Sequence, residues 1–295
     1  MNAGAKLAAF AAVVGVVFGA AMAVGEAVGP LDVGDDDAHQ MASNVDAPSL
    51  PRGLAVAQDG YRLVLVTDSL PAEAEAPLAF RIVDDRGAAV TAFEQLHERP
   101  LHLIVVARDL VGYHHLHPTM DVAGEWTVGV PALRPGSYRV FADFQPRGAD
   151  NITLGTDLDV AGATEAVALP APADVAVVDG LTVTLGGSPA VGDVELTFVV
   201  QADGEPVRTD PYLGAAGHLV AIRGGDLAYL HVHPHDTTGG TAVTFTGEFP
   251  SAGTYRLFFD FSYGGVVRTA AFTVVVPDDL GVAVPSTMPT HDGGH

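Results

Sequence analysis

Histidine is concentrated in two short stretches of this sequence, and its spacing is the same in both. Nine of the twelve histidines lie between positions 97 and 117 or between positions 218 and 235. Each stretch contains the pattern H-x12-H-x-H, formed by His102, His115 and His117 in the first and by His218, His231 and His233 in the second. Imidazole nitrogens are common ligands of Zn²⁺, Cu²⁺ and Ni²⁺. The pattern therefore predicts one transition-metal site in each stretch.

The spacing also predicts how strands would bring the histidines together. Residues two apart on a strand point to the same face, so His115 and His117 share a face. A turn near residues 110–112 would place His102 beside one of them and at most diagonal to the other, at about 5 Å and about 7–8 Å. Ligands of one ion lie at about 2.0–2.1 Å from it, so we expect the three imidazole nitrogens within about 3–4 Å of one another.

Two aspartates are further candidates for this chemistry. Asp143 and Asp260 alternate with inward-facing residues on a later strand, so each could be a fourth ligand or an acceptor that orients a histidine. Equally, they could be ordinary strand carboxylates that pair with Arg139 and Arg256. The histidines themselves could be structural, with their rings bonded to backbone carbonyls. His97, His114 and His235 have no counterpart in the other stretch and are optional ligands.

The elements that must position these residues belong to two copies of one domain. HLIVVARDLVGYHHLHP at residues 102–118 aligns without a gap with HLVAIRGGDLAYLHVHP at residues 218–234, and PGSYRVFADF matches AGTYRLFFDF further along. Each copy has seven short alternating stretches bounded by Gly, Pro and Asp, which predict β-strands. Tyr138 and Tyr255 stand where the tyrosine corner of immunoglobulin-like domains is found. We predict an all-β chain of two tandem immunoglobulin-like or cupredoxin-like sandwiches, at residues 52–162 and 172–277.

Composition excludes several classes of function. The chain has 36 acidic and 14 basic residues, a net charge of −22, which disfavours nucleic acid and anionic lipid and favours cations. It has no cysteine, so neither a disulfide nor a Cys-based metal site can form. No phosphate-binding or dinucleotide motif is present. We therefore expect a protein that is not an enzyme and carries no organic cofactor.

The N-terminus predicts export. Residues 7–25 carry no charge, and this segment is long enough for a membrane-spanning helix. Lys6 precedes the segment, and Glu26 and further acidic residues follow it. The positive-inside rule then places the remainder outside the cytoplasm. We expect residues 1–27 to be a single-pass membrane anchor, residues 28–51 a flexible linker and residues 278–295 a flexible tail. Alternatively, Ala21 and Ala23 form a signal-peptidase site and the protein is secreted.

These blocks resemble bacterial exported proteins labelled as carrying a heavy-metal-associated or heavy-metal-binding domain. The resemblance rests on the apolar N-terminus, the two HxHP blocks and the two TYR- or SYR-containing blocks, and it covers nearly the whole chain. It implies a non-enzymatic protein that handles Cu, Zn or Ni at the outer face of the membrane. The alternative is a structural or adhesive surface protein without metal. An enzyme resembling superoxide dismutase is a weaker hypothesis, because that family needs a bridging histidine and a disulfide. The sequence predicts no particular protein partner.

Overall fold

The computed structural model describes residues 51–278, except 166, 231 and 236–239, and also Val14, Val16 and Met22, whose backbone is helical. Among these residues no helix is both long and apolar enough to cross a membrane. The predicted anchor at 1–27, linker at 28–51 and tail at 278–295 lie almost entirely outside the described residues.

The described chain is built from β-strands. Those of the first repeat are β1 (Ala57–Gln58), β2 (Tyr61–Leu65), β3 (Ser69–Leu70), β4 (Ala76–Asp84), β5 (Leu101–Ala107), β6 (Tyr113–Leu116), β7 (Thr119–Met120), β8 (Glu125–Val130), β9 (Gly136–Phe144) and β10 (Ile152–Val160). Those of the second repeat are β11 (Val175–Val178), β12 (Leu181–Gly186), β13 (Gly192–Ala202), β14 (Glu205–Pro206), β15 (His218–Arg223), β16 (Tyr229–Leu230), β17 (Val232–Pro234), β18 (Val243–Phe249), β19 (Gly253–Tyr263) and β20 (Val266–Val276).

Each repeat is a sandwich of two sheets. In the first repeat the strand orders are β1-β2-β4-β8-β7 and β3-β10-β9-β5-β6. In the second they are β11-β12-β13-β18-β17, with β14 against β13, and β16-β15-β19-β20. Pairing is antiparallel in both repeats except between β3 and β10. The predicted all-β, immunoglobulin-like double sandwich is confirmed.

Alternating side chains give each sandwich its own core. In β12 the residues alternate between buried and half-buried positions along the whole strand, as expected of a sheet with one face on a core. Aromatic rings fill both interiors. Trp126 stacks on Phe80 at 6.2 Å in the first, and Phe198 stacks on Phe259 at 4.5 Å in the second. Large buried aromatic rings contribute much of the hydrophobic stabilisation of small cores of this kind.

Both predicted tyrosine corners are present. The Tyr138 hydroxyl donates to the carbonyl of Arg134 at 3.0 Å, and the Tyr255 hydroxyl donates to the carbonyl of Ser251 at 2.7 Å. Each bond closes the turn that leads into β9 or β19, the strand that carries the candidate aspartate.

A third apolar cluster joins the two repeats. Every residue of β5 is buried, because one face of this strand covers the first core and the other face meets the second repeat. Tyr113 stacks on Phe258 with ring centroids 4.0 Å apart, and Tyr229 packs on Phe141 at 5.4 Å. In the repeat alignment Tyr113 corresponds to Tyr229 and Phe141 to Phe258, so the contacts are reciprocal. The outer faces of the β5–β6–β9 and β15–β16–β19 sheets are therefore buried against each other.

Candidate metal centre

The β5–β6 hairpin brings the three histidines of the first repeat together. His102 lies near the start of β5, and His115 lies on β6, one residue before its end. The register pairs Leu103 with Leu116, which puts His102 opposite the position of His117, just past the end of β6. The imidazole centroids of His115 and His117 each lie 5.1 Å from that of His102. One ring nitrogen from each residue lies within 4.8 Å of the others, a wider limit than the 3–4 Å expected.

Two of these rings face each other directly. Nδ1 of His102 lies 2.9 Å from Nε2 of His115. The other nitrogen of each ring is bonded to a pure acceptor. Nε2 of His102 donates to the carbonyl oxygen of Leu96 at 2.9 Å, and Nδ1 of His115 donates to Oδ2 of Asp260 at 2.8 Å. In their neutral forms, therefore, both rings present a lone pair to the same point.

Asp260 is held firmly in this arrangement. Its carboxylate also accepts from the Tyr113 hydroxyl at 3.0 Å and from the Thr269 hydroxyl at 2.5 Å. Burial, with the nearby Asp260 charge, raises the pKa of Tyr113 well above its usual range, so that hydroxyl keeps its proton and remains a donor. The carboxylate thus fixes both the tautomer and the orientation of the His115 ring.

Burial keeps the other clustered imidazoles neutral. Burial and the neighbouring His115 lower the pKa of His102 to about 4. Burial, followed by the neighbouring His115, lowers the pKa of His117 and of His218 to about 3. Neutral imidazole is the form that binds metals, so these rings need no deprotonation at neutral pH.

One ring nitrogen of His117 is a candidate ligand atom. Its Nε2 is buried and has no hydrogen-bond partner among the residues that the structure describes. Buried polar atoms normally have a partner, so an exception of this kind in a histidine cluster is a sign of a ligand position.

His218 of the second repeat lies in the same cluster. Its ring centroid is 5.0 Å from that of His97 and 6.2 Å from those of His102 and His115. Its Nε2 donates to the carbonyl of Tyr212 at 3.0 Å, which repeats the bond between His102 and the residue six positions before it. Sequence spacing predicted a separate second site, but His218 lies beside the first one. His231 and the side chain of His233, which would complete that second site, lie outside the described residues.

The two aspartates have different partners, and only Asp260 bonds to the other repeat. Asp260 lies opposite His218 in the strand register, yet it bonds to His115 of the other repeat. Asp143 accepts from the Asn151 amide at 3.0 Å and from the Thr153 hydroxyl at 2.9 Å. Neither pairs with the arginine on its own strand, which instead bonds to Asp157 in one repeat and Thr273 in the other.

The optional histidines have separate positions. His97 lies at the exposed edge of the cluster, whereas His235 is in contact with Thr246 and Glu195 on an exposed part of the second repeat. A cavity of about 220 Å³ adjoins the cluster between the repeats, and its polar border is formed by His97, His102, His115, Asp143, Asn151 and His218.

Three contributors to the site were not predicted from the sequence. They are the Leu96 carbonyl, the Tyr113 hydroxyl and the Thr269 hydroxyl. A signal for Tyr113 was present, because a tyrosine stands two residues before the H-x-H pair in both copies. A backbone carbonyl has no residue-type signal at all.

The fold and the site define a tandem immunoglobulin-like protein with a histidine centre at the junction of its repeats. The family model described as "Domain of unknown function (DUF8832)" matches residues 55–162 and again residues 176–278. The chain belongs to this family and carries two copies of its domain.

Other comparisons give only distant likenesses. No curated protein sequence matches the chain. Among solved structures it is similar to invasin, a bacterial integrin-binding protein, at 11% identity over 74% of this chain and 39% of that one, with a TM-score of 0.22. It is also similar to InvD of Yersinia pseudotuberculosis, at 13% identity over 75% of this chain and 58% of that one, with a TM-score of 0.24. The chain thus spans less than two thirds of either protein. The D00–D0 domain of intimin gives 13% identity over 74% of this chain and 100% of that one, with a TM-score of 0.24.

Proposed function

We propose that this protein binds a divalent transition-metal ion, Zn²⁺, Cu²⁺ or Ni²⁺, through His102, His115 and His117, and that it has no enzymatic role. One observation carries the proposal. Two imidazoles point lone pairs at each other across 2.9 Å, because their other nitrogens already donate to a carbonyl and a carboxylate. Facing lone pairs repel unless a cation lies between them, so the arrangement requires either a metal ion or a proton.

Several features favour a metal ion as that cation. The cluster supplies a third histidine with a buried, unpartnered nitrogen. A histidine that donates its second nitrogen to a carboxylate is a better-oriented and more basic ligand. The net charge of −22 attracts cations to the protein surface. Two nitrogens on one tetrahedral ion at about 2.0–2.1 Å lie about 3.3 Å apart, so the pair need separate by only a few tenths of an ångström.

A second candidate function is a structural or adhesive surface module. Here a proton shared between Nδ1 of His102 and Nε2 of His115 takes the place of the metal ion. The histidines would then fasten the two sandwiches together without metal. This candidate is favoured by the fact that His102, His115 and His218 each have a protein partner for one nitrogen.

Metal titration of the double variant His115→Ala/His117→Ala separates these candidates. We expect the wild-type protein, stripped with a chelator, to bind Zn²⁺ or Cu²⁺ at neutral pH by calorimetry. The double variant should lose at least one equivalent, because two of the three clustered ligands are gone.

His114→Ala is the matched control, since His114 neighbours His115 but is not one of the three clustered ligands. It should bind like the wild type. Flat titrations of folded wild-type protein with Zn²⁺, Cu²⁺ and Ni²⁺ would end the metal proposal and leave the structural one.

A further inference from the structure

We propose that the metal centre needs the second repeat for its full affinity, with Asp260 as the positioning residue for His115. Metal binding and docking of the two repeats then stabilise each other. This inference rests on the proposed function. It adds that the histidine triad of the first repeat is not self-sufficient, although all three of its ligands lie within that repeat.

The contacts of Asp260 carry the argument. It is 2% exposed, and it belongs to β19 of the second repeat. One of its donors, Thr269, is in its own repeat, and two, Tyr113 and His115, come from the first. Burying a carboxylate without partners costs free energy. Two of the three donors to Asp260 are present only while the repeats are docked, so docking is needed to offset that cost.

The packing around Asp260 couples it to the whole interface. Phe258 lies two residues before it on β19 and therefore on the same face of the strand. That ring stacks on Tyr113, whose hydroxyl donates to Asp260. His218, in register with Asp260 on the neighbouring strand, faces the same cluster. Any shift of the second repeat therefore moves three groups together. They are the Asp260 carboxylate that accepts from His115, the Phe258 ring that stacks on Tyr113, and the His218 imidazole.

The energetic consequence is reciprocal. If docking increases the affinity for metal, then metal must favour docking by the same factor. Removing the acceptor of a metal-bound histidine typically lowers metal affinity about 10- to 100-fold. A ligand that binds only the docked form also slows opening of the interface.

The first test is Asp260→Asn in the full chain. We expect the affinity for Co²⁺, used as a spectroscopic stand-in for Zn²⁺, to fall about 10- to 100-fold, and its visible absorption bands to shift, because His115 loses its charged acceptor. Asp157→Asn is the control, because it removes the same charge from an exposed strand carboxylate of the first repeat. It should change neither quantity.

The second test loosens the interface without touching a ligand or Asp260. Phe258→Leu removes the stack on Tyr113, whereas Phe249→Leu removes a ring of similar burial that packs on Tyr255 inside the second core. Both should destabilise the second repeat, but only Phe258→Leu should weaken Co²⁺ binding. In the wild type, added Zn²⁺ should slow hydrogen exchange in β19, which supplies none of the three clustered histidines.

The outcomes separate this inference from the proposed function. Wild-type protein that binds no Co²⁺ ends both. Wild-type protein that binds Co²⁺, with unchanged affinity and spectrum in Asp260→Asn and Phe258→Leu, keeps the metal site and overturns the coupling. If Asp260→Asn does not fold, Phe258→Leu and the exchange rates in β19 decide the matter.

Discussion

Single hydrogen bonds determine what the clustered histidines can do. His102 and His218 each donate Nε2 to the carbonyl of the residue six positions earlier, Leu96 or Tyr212. Those carbonyls belong to short turns closed by paired backbone bonds, so the acceptors cannot easily move away. In each copy the first histidine of the pattern is thus held as the tautomer that has its lone pair on Nδ1 when the ring is neutral.

The lowered pKa values predict a pH dependence of stability without metal. In the unfolded chain His218 titrates near pH 6.5, whereas in the folded protein burial lowers its pKa to about 3. Between these values the unfolded state binds more protons, so the free energy of unfolding falls as the pH decreases. From pH 7 to pH 5 the loss is about 2 kcal/mol for one such histidine, because the slope approaches about 1.36 kcal/mol per pH unit once the unfolded imidazole is protonated. Urea unfolding with a chelator at pH 7, 6 and 5 measures it.

His218→Gln tests the assignment. This variant should show a shallower decline of stability between pH 7 and pH 5 than the wild type. It lacks the imidazole that binds a proton in the unfolded chain but not in the folded protein. An equal slope in the variant and the wild type would contradict the burial argument. Metal affinity should fall only at lower pH, where protons compete for the ligand nitrogens of His102 and His117, whose pKa values are lowered to about 4 and about 3.

At the scale of strands, most of the fold could be predicted from the sequence. Alternating residues mark strands such as β12, and the repeated SYR and TYR blocks mark the tyrosine corners. The hairpin that joins His102 to His115 and His117 could be predicted for the same reason, since it depends on spacing within one short segment.

The pairing of the two repeats could not be predicted in the same way. Asp260 bonds to the first repeat because the outer faces of two particular sheets meet, and the sequence does not say which faces do so. The duplicated histidine pattern indicated two independent sites instead. One signal was present. The segment LHLIVVA in β5 is apolar on both faces apart from His102, which is typical of a strand covered on both sides. That pattern indicates a second covering layer without saying what forms it.

The tyrosine corner gives a prediction at this scale. Tyr138→Phe removes the bond from the hydroxyl to the Arg134 carbonyl and leaves that carbonyl without its donor. We expect the first repeat to lose about 1–2 kcal/mol of unfolding free energy. Trp126, the single tryptophan of the chain, lies in this repeat and reports its unfolding by fluorescence.

Tyr61→Phe is the control for that measurement. Tyr61 packs against the same core and meets Phe144 edge to face, but its hydroxyl makes no hydrogen bond to the described residues. It should change stability by less than about 0.5 kcal/mol. A loss in Tyr61→Phe equal to that in Tyr138→Phe would show that the corner bond contributes nothing specific.

For the whole molecule, the arrangement of charge predicts where the sandwiches reside. Lys6 precedes the uncharged residues 7–25 and acidic residues follow them, so both repeats should lie outside the cytoplasm. Protease added to intact cells should therefore degrade them, while a cytoplasmic marker protein survives. An N-terminal tag that stays with the membrane would support the anchor, and its loss would support a cleaved signal. Complete protection of the repeats from protease would contradict this topology.

The reciprocal contacts between Tyr113 and Phe258 and between Tyr229 and Phe141 have a consequence for ancestry. An interface is isologous when both partners use the same surface, as in a twofold homodimer, and each contact then occurs twice between equivalent residues. The interface between the repeats has this form. A chain with a single repeat would therefore build the same surface by pairing with a second copy of itself. Duplication and fusion would then have turned two identical subunits into one polypeptide. Once the halves were joined they were free to diverge, which accounts for His97 and Leu213 occupying equivalent positions.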